Sequence, residues 1–195
     1  MTRAKETASQ TAGPYVHIGC TPNFLGIEGI FPEDLGTRMI TGTPEGERIT
    51  VTGSVIDGAG NVLKDALVEI WQADAAGKFP GHGGAEGFTG WGRSPGDMET
   101  GEFTFETLKP GRVPWHDGRK QAPHITVWVV ARGINLGLHT RIYFPDEEEA
   151  NAEDPILQRV EHRQRIKTLI ARKTPEGYRF DIRLQGEDET IFFDI

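Results

Sequence analysis

The stretch KPGRVPWHDGRKQAPHITVWVVARG, residues 109–133, gathers the residue types that do chemistry: a Pro/Gly corner, His116 and His124, a tryptophan and several cations ahead of an apolar run. Side chains alternate along a strand, so His124, Thr126, Trp128 and Val130 share one face while Ile125, Val127 and Val129 share the other. A second imidazole at position 126 would stand beside His124 and make a metal site of the kind strands hold. Thr126 offers a neutral hydroxyl instead, a poor ligand for iron, copper or zinc. The remaining histidines, His17, His82, His116, His139 and His162, lack the spacing of a zinc or copper motif and are expected at surfaces or interfaces.

The elements that must position these groups read as strands. ERITVTGSVID alternates, GAGN is a turn and ALVEIWQAD alternates again, which predicts a strand pair with Leu67, Glu69 and Trp71 on one face. GEFTFETL, HITVWVVA and LHTRIYF continue the series between Gly/Pro clusters, and RIKTLIARK, YRFDIRLQG and TIFFDI have strand character further on. PDEEEANAEDPILQRVE has an acidic first turn after Pro145 and predicts short helical pieces interrupted at Pro155. Residues 1–46 carry turn residues and little periodicity, and residues 77–101 form a long Gly-rich loop. The predicted fold is all-β: a β-sandwich with long loops, an N-terminal arm and short helical pieces, with residues 1–46 as an arm and loop segment and 47–195 as the sandwich domain.

Composition excludes several function classes. With 21 Lys and Arg against 29 Asp and Glu the net charge is −8, so the surface as a whole repels nucleic acid and anionic membranes. An anionic small molecule would need a local arginine to draw it in. The single cysteine, Cys20, rules out an internal disulfide framework and favours a reducing, cytoplasmic setting. MTRAKETASQ has no apolar h-region, and no run approaches membrane-spanning length.

Taken in order, SQTAGPY, ALVEIWQAD, GEFTFETLKPG, PWHDGRKQAPHITV, ARGINLGLHTRIYF and YRFDIRLQGEDETIFFD resemble the intradiol ring-cleavage dioxygenases, and within them the alpha subunits that pair with an iron-bearing beta subunit. The resemblance implies ferric iron held by two tyrosines and two histidines, one tyrosine in a KPGxYP corner and both histidines in an HIH strand. Here the corner reads KPGRVP, with Val113 at the tyrosine position, and the strand reads HIT. The other tyrosine would lie in the Gly-rich loop, yet the tyrosines are Tyr15, Tyr143 and Tyr178. Three of the four ligands are missing, so no metal ligand and no catalytic residue is assigned to this chain. His124 is expected as a buried strand histidine hydrogen-bonded to a neighbour.

The resemblance further implies an (alpha-beta)n hetero-oligomer in which Fe(3+) sits on the beta subunit and this chain supplies part of the wall. The implied reaction is cleavage of 3,4-dihydroxybenzoate by O2 to 3-carboxy-cis,cis-muconate, a step in aromatic catabolism by the beta-ketoadipate pathway. Gly13, Pro14 and Tyr15 of the arm and Arg132 match the family's alpha contribution to substrate binding. Arginines are mostly exposed, and by sequence alone Arg132 reads as a surface residue closing a strand. Its family position reverses that reading, ahead of Arg112, Arg119, Lys120 and Arg141. From Thr11 the arm is apolar and aromatic, so packing against a partner is expected. Trp71, Trp91, Trp115 and Trp128 are expected in core and interface packing. The competing readings are a stand-alone β-sandwich binding module and an independent metalloenzyme, the latter opposed by the missing ligands.

Overall fold

A computed structural model describes residues 10–194. The elements run in the order α1 (Pro14–Cys20), β1 (Arg48–Ile56), β2 (Leu67–Trp71), β3 (Trp91–Pro95), β4 (Glu102–Leu108), β5 (His124–Val130), β6 (Leu138–Tyr143) and α2 (Glu148–Glu153). Two 3-10 segments, Leu157–Arg159 and Arg163–Leu169, precede β7 (Arg172–Thr174), β8 (Gly177–Arg179) and β9 (Ile182–Arg183).

The all-β sandwich expected from the strand periodicity is what forms. One sheet has the order β4-β1-β8-β7, with β9 also pairing β1; the other has the order β3-β2-β5-β6. Val51, Val55, Phe103, Phe105 and Ile182 from the first sheet pack against Val68, Ile70, Val127, Val129 and Ile142 from the second in one buried core. Burying side chains of this size, at about 1.5–3 kcal/mol each, is what drives the two layers together. Among the described residues no helix is long and apolar enough to cross a membrane.

Four readings of the chain are corrected. β1 and β2 are not a strand pair: β1 pairs β4, and β2 pairs β3 and β5. The GAGN turn closes on a single bridge, Ile56 to Val62, and the chain then crosses to the opposite layer, where Val68 and Ile70 meet the core from the other side. RIKTLIARK is mostly 3-10 helix over Arg163–Leu169, because Ile166 and Leu169, three residues apart, both reach a second apolar cluster and the Thr168 hydroxyl donates back to the Arg165 carbonyl. TIFFDI makes only an isolated bridge, Phe193 to His139, its last residue lying outside the described ones. Inside the Gly-rich stretch, Trp91–Pro95 is a strand, paired along β2 and locked by Arg93 Nη2 on Glu69 Oε1 at 2.7 Å.

Residues 21–46 wrap this second sheet. Met39 is buried in the main core, the Gly36 carbonyl accepts from the Arg93 N–H, and the Asp34 carboxylate accepts from the N–H groups of Asn23 and Phe24. The short helix α1, with Pro14 in its first turn, was not legible in the sequence because seven residues carry too little periodicity.

Candidate functional site

The face of β5 that carries His124 and Thr126 is the outer face of its sheet, as the alternation predicts, since Ile125, Val127 and Val129 fill the core. What covers that face is a second apolar cluster of Ala122, Tyr143, Ala150, Leu157 and Leu169 under α2 and the 3-10 segments. His124 lies beneath it, 5% exposed, with Nδ1 2.8 Å from the Ala122 carbonyl and its ring tilted against Tyr143 at 5.8 Å. It is the buried, hydrogen-bonded strand histidine expected from the sequence.

The KPG corner is set by backbone contacts. Gly111 donates its N–H to the Asp74 carbonyl, and a Cβ at this position would stand 2.4 Å from the Ala75 oxygen, so only glycine fits. Asp74 in turn holds the start of the Gly-rich loop through the N–H groups of Ala76, Lys78 and Ala85. Beyond the corner, Val113 is buried and its carbonyl accepts from Gln121 N–H.

Thr126 and Arg141 are cross-strand neighbours on β5 and β6. The Arg141 guanidinium donates to Gln121 Oε1 at 2.8 Å and reaches the Tyr143 hydroxyl at 3.4 Å. A fixed positive charge therefore stands beside the position where a second imidazole ligand would be needed. One buried imidazole already bonded to a carbonyl, a hydroxyl, a valine and a guanidinium do not fit ferric iron, which requires anionic or imidazole donors. Among the described residues no three His, Cys, Asp or Glu side chains converge on a point.

The same surroundings make His124 a contributor to pH-dependent stability. Burial, with the Arg141 charge adding to it, pushes the imidazole down to about 4 from 6.5. The unfolded chain then binds the proton more readily, so this contribution is complete above about pH 6.5 and is lost as pH falls from 6.5 toward 4, about 3 kcal/mol in all. Urea unfolding of the alpha-beta complex carrying either the wild-type chain or His124→Gln, at pH 7 and pH 5, measures it. The drop in stability between the two pH values should be about 2 kcal/mol smaller in the variant. Equal drops in both chains would contradict this assignment.

The second set of nominated residues lies elsewhere. Thr11 Oγ1 accepts from the Gly133 N–H at 2.9 Å, and Gln10 N–H donates to Asn135 Oδ1 at 2.9 Å. Asp65 ties this junction to α1 and to Arg132: its carbonyl lies 2.9 Å from His17 Nε2, and its Oδ2 lies 2.8 Å from Arg132 Nε. Gly13, Pro14 and Tyr15 therefore reach the same edge of the molecule as Arg132. The Tyr15 ring is 84% exposed, and Leu136 in the adjoining loop is 72% exposed. Arg132 itself is exposed, and its two terminal nitrogens make no bond among the described residues. Nothing in the sequence points to Asp65 as the link, since a lone aspartate in a loop carries no pattern. Arg141 was in view as a cation, but its place beside Thr126 follows only from the register of β5 on β6.

A family model described as Dioxygenase matches residues 21–186. The chain is 45% identical over 97% of its length to the protocatechuate 3,4-dioxygenase alpha chain of Pseudomonas putida, of which the match covers 96%. It is also 38% identical over 83% of its length to the protocatechuate 3,4-dioxygenase beta chain of Burkholderia cepacia, of which 75% is covered. Its fold resembles the dioxygenase domain of a dioxygenase carbohydrate-binding protein fusion from Streptomyces sp. SirexAA-E, with TM-score 0.54 and 27% identity over 93% of this chain and 99% of that one.

Proposed function

The chain belongs to the intradiol dioxygenase family, and on that premise we propose that it is the iron-free alpha subunit of a cytoplasmic protocatechuate 3,4-dioxygenase. Its partner is an iron-bearing beta subunit, with which it forms an (alpha-beta)n hetero-oligomer. The complex uses O2 to break the bond between the two hydroxyl-bearing carbons of 3,4-dihydroxybenzoate, one oxygen atom going to each new carboxylate, giving 3-carboxy-cis,cis-muconate. Activation of the ring toward dioxygen is the task of Fe(3+) on the partner, since Val113, Thr126 and Arg141 leave no place for it here.

This chain's own part is to bind and orient the substrate. The observation that carries the proposal is the junction of the arm with the loop after β5, which sets the exposed Tyr15 and Arg132 at one edge. Gly13 and Pro14 fix the approach of the Tyr15 ring, and that ring can lie against an aromatic substrate at the partner's site. Arg132 Nε is held by Asp65, while its terminal nitrogens bond nothing among the described residues and can meet a carboxylate. With a net charge of −8, such a local cation is what draws an aromatic acid to the site.

Production of the chain alone and together with its beta subunit tests the reading. Alone it should bind no stoichiometric iron and lack the visible tyrosinate-to-iron colour; with the partner it should yield a coloured, active complex. An iron-loaded, active preparation of this chain by itself would falsify the proposal. The isolated chain should also aggregate, because Tyr15, Leu136 and Ile30 at 84%, 72% and 53% exposure leave apolar surface in water. Light scattering reads this directly, and a monodisperse solution of the isolated chain would count against a partner-covered edge.

A further inference from the structure

The arm is joined to the rest of the chain by contacts that bracket Tyr15. α1 has seven residues, its N-cap Gly13 makes no side-chain capping bond, and a helix this short is not stable by itself. Tertiary contacts must hold it. His17 is the one residue of α1 that is buried, with Nε2 2.9 Å from the Asp65 carbonyl and Nδ1 3.3 Å from the Thr21 hydroxyl. A carbonyl only accepts, so this contact places the ring proton on Nε2. On the other side of Tyr15, Thr11 Oγ1 accepts from the Gly133 N–H at 2.9 Å. The far end of α1 is tied separately, by Arg93 Nη1 donating to the Cys20 carbonyl at 3.2 Å.

Both clasps end beside Arg132. Gly133 follows it in the chain, and Asp65 Oδ2 stands 2.8 Å from its Nε. Asp65 therefore serves two groups with different atoms: its main-chain carbonyl anchors the helix that carries Tyr15, and its carboxylate anchors the arginine. The Tyr15 ring is 84% exposed and gains little packing within this chain, so its place relative to the guanidinium is set by the backbone on either side of it.

We infer that His17 is a positioning residue for substrate binding: it clasps α1 to Asp65 and so fixes the spacing of Tyr15 from Arg132, with Thr11 as the second clasp. This rests on the reading of Tyr15 and Arg132 given above and adds what holds the two in register. His17 acts through Tyr15 and does not itself meet the substrate. A buried imidazole bonded to a main-chain carbonyl suits the task, because the bond is directional and shielded from water. An apolar side chain would fill the same space without fixing the helix on the loop. Catalysis is sensitive to such placement, since a shift of about 1 Å in a positioning group can cost orders of magnitude in rate.

Steady-state kinetics of the alpha-beta complex with 3,4-dihydroxybenzoate test this. His17→Leu should lower kcat/KM roughly threefold to tenfold, and His17→Gln, whose amide N–H can reach the same carbonyl, should recover most of that loss. Thr11→Val, at an exposed position, should act in the same direction and carries the test even where His17→Leu does not assemble. The decisive readout is a double-mutant cycle with Tyr15→Ala. Because His17 acts through Tyr15, adding His17→Leu to Tyr15→Ala should cost less than about twofold more, whereas independent structural damage would multiply the two losses. Wild-type kcat/KM in Tyr15→Ala would remove Tyr15 from the site, and this inference with it. If Tyr15→Ala does lose activity, then wild-type kinetics in both His17→Leu and Thr11→Val, equal losses in the leucine and glutamine variants, or multiplying losses in the cycle would each overturn the role of His17 while leaving Tyr15 in place.

Discussion

Arg132→Ala should lower kcat/KM for 3,4-dihydroxybenzoate by roughly tenfold to a hundredfold, while assembly and iron content of the complex stay as they are. That loss corresponds to about 1.5–3 kcal/mol, the size of a charge-assisted hydrogen bond to a substrate carboxylate. Arg132 already has one partner in Asp65, with 68% of its side chain exposed. An exposed ion pair of this kind contributes at most about 1 kcal/mol, so if the pair were its whole purpose the substitution would pass almost unnoticed. Arg132→Lys should restore only part of the activity, since an ammonium cannot both hold Asp65 through Nε and present a planar fork. Asp65→Asn separates the two roles. It keeps the charge on Arg132 but loosens its anchor, and should raise KM less than Arg132→Ala does. Catechols with and without the ring carboxylate then identify the contact. A loss confined to carboxylated substrates means direct pairing, an equal loss for both means that Arg132 shapes the site, and wild-type kinetics for both would remove it from the site altogether.

Asp154→Ala should destabilise the chain by about 3–5 kcal/mol, or roughly 10 °C in Tm. Asp154 is fully buried at the end of α2, where its Oδ2 accepts from the Ala122 N–H at 2.8 Å. Its Oδ1 accepts from the N–H groups of Ile156 and Leu157 at 2.9 Å each and from the Tyr143 hydroxyl at 3.2 Å. One carboxylate thus satisfies four donors from three segments, and alanine would leave them buried without acceptors, at about 1–3 kcal/mol for each that water does not reach. Asp154→Asn keeps one oxygen but turns an NH2 group toward donors, so it should cost less than alanine and more than a surface change. Thermal unfolding of the alpha-beta complexes carrying each of the three chains measures the series. A Tm within 2 °C of wild type for Asp154→Ala would show that the four donors find other partners.

These two residues mark how far the sequence could be read. Arg132 was visible, because ARGIN stands at the end of an obvious strand and matches a family motif. Asp154 was not, since a single aspartate before Pro155 looks like a helix stop. Its importance comes from Ala122 and Tyr143, which reach it from 32 and 11 residues away. Similarly, the strand β3 was hidden among glycines. Trp91–Pro95 alternates buried and half-buried positions only because β2 and the Glu69–Arg93 pair hold it flat.

What the sequence by itself determined was local and chemical. Period-two alternation set the β-sandwich and told which face of β5 His124 and Thr126 share, and the family resemblance set Val113 and Thr126 at positions where ferric ligands are expected, which neither side chain can supply. The tertiary structure decided what stands next to what. Strand pairing is a long-range choice: alternation says that β1 and β2 each have an inward face but not that those faces belong to opposite sheets. The register of β5 on β6 brought Arg141 beside Thr126, and Asp65 joined the arm to Arg132 across loops far apart in the chain. Such neighbours are chosen by burial and hydrogen-bond satisfaction over the whole molecule, and no window of sequence contains them.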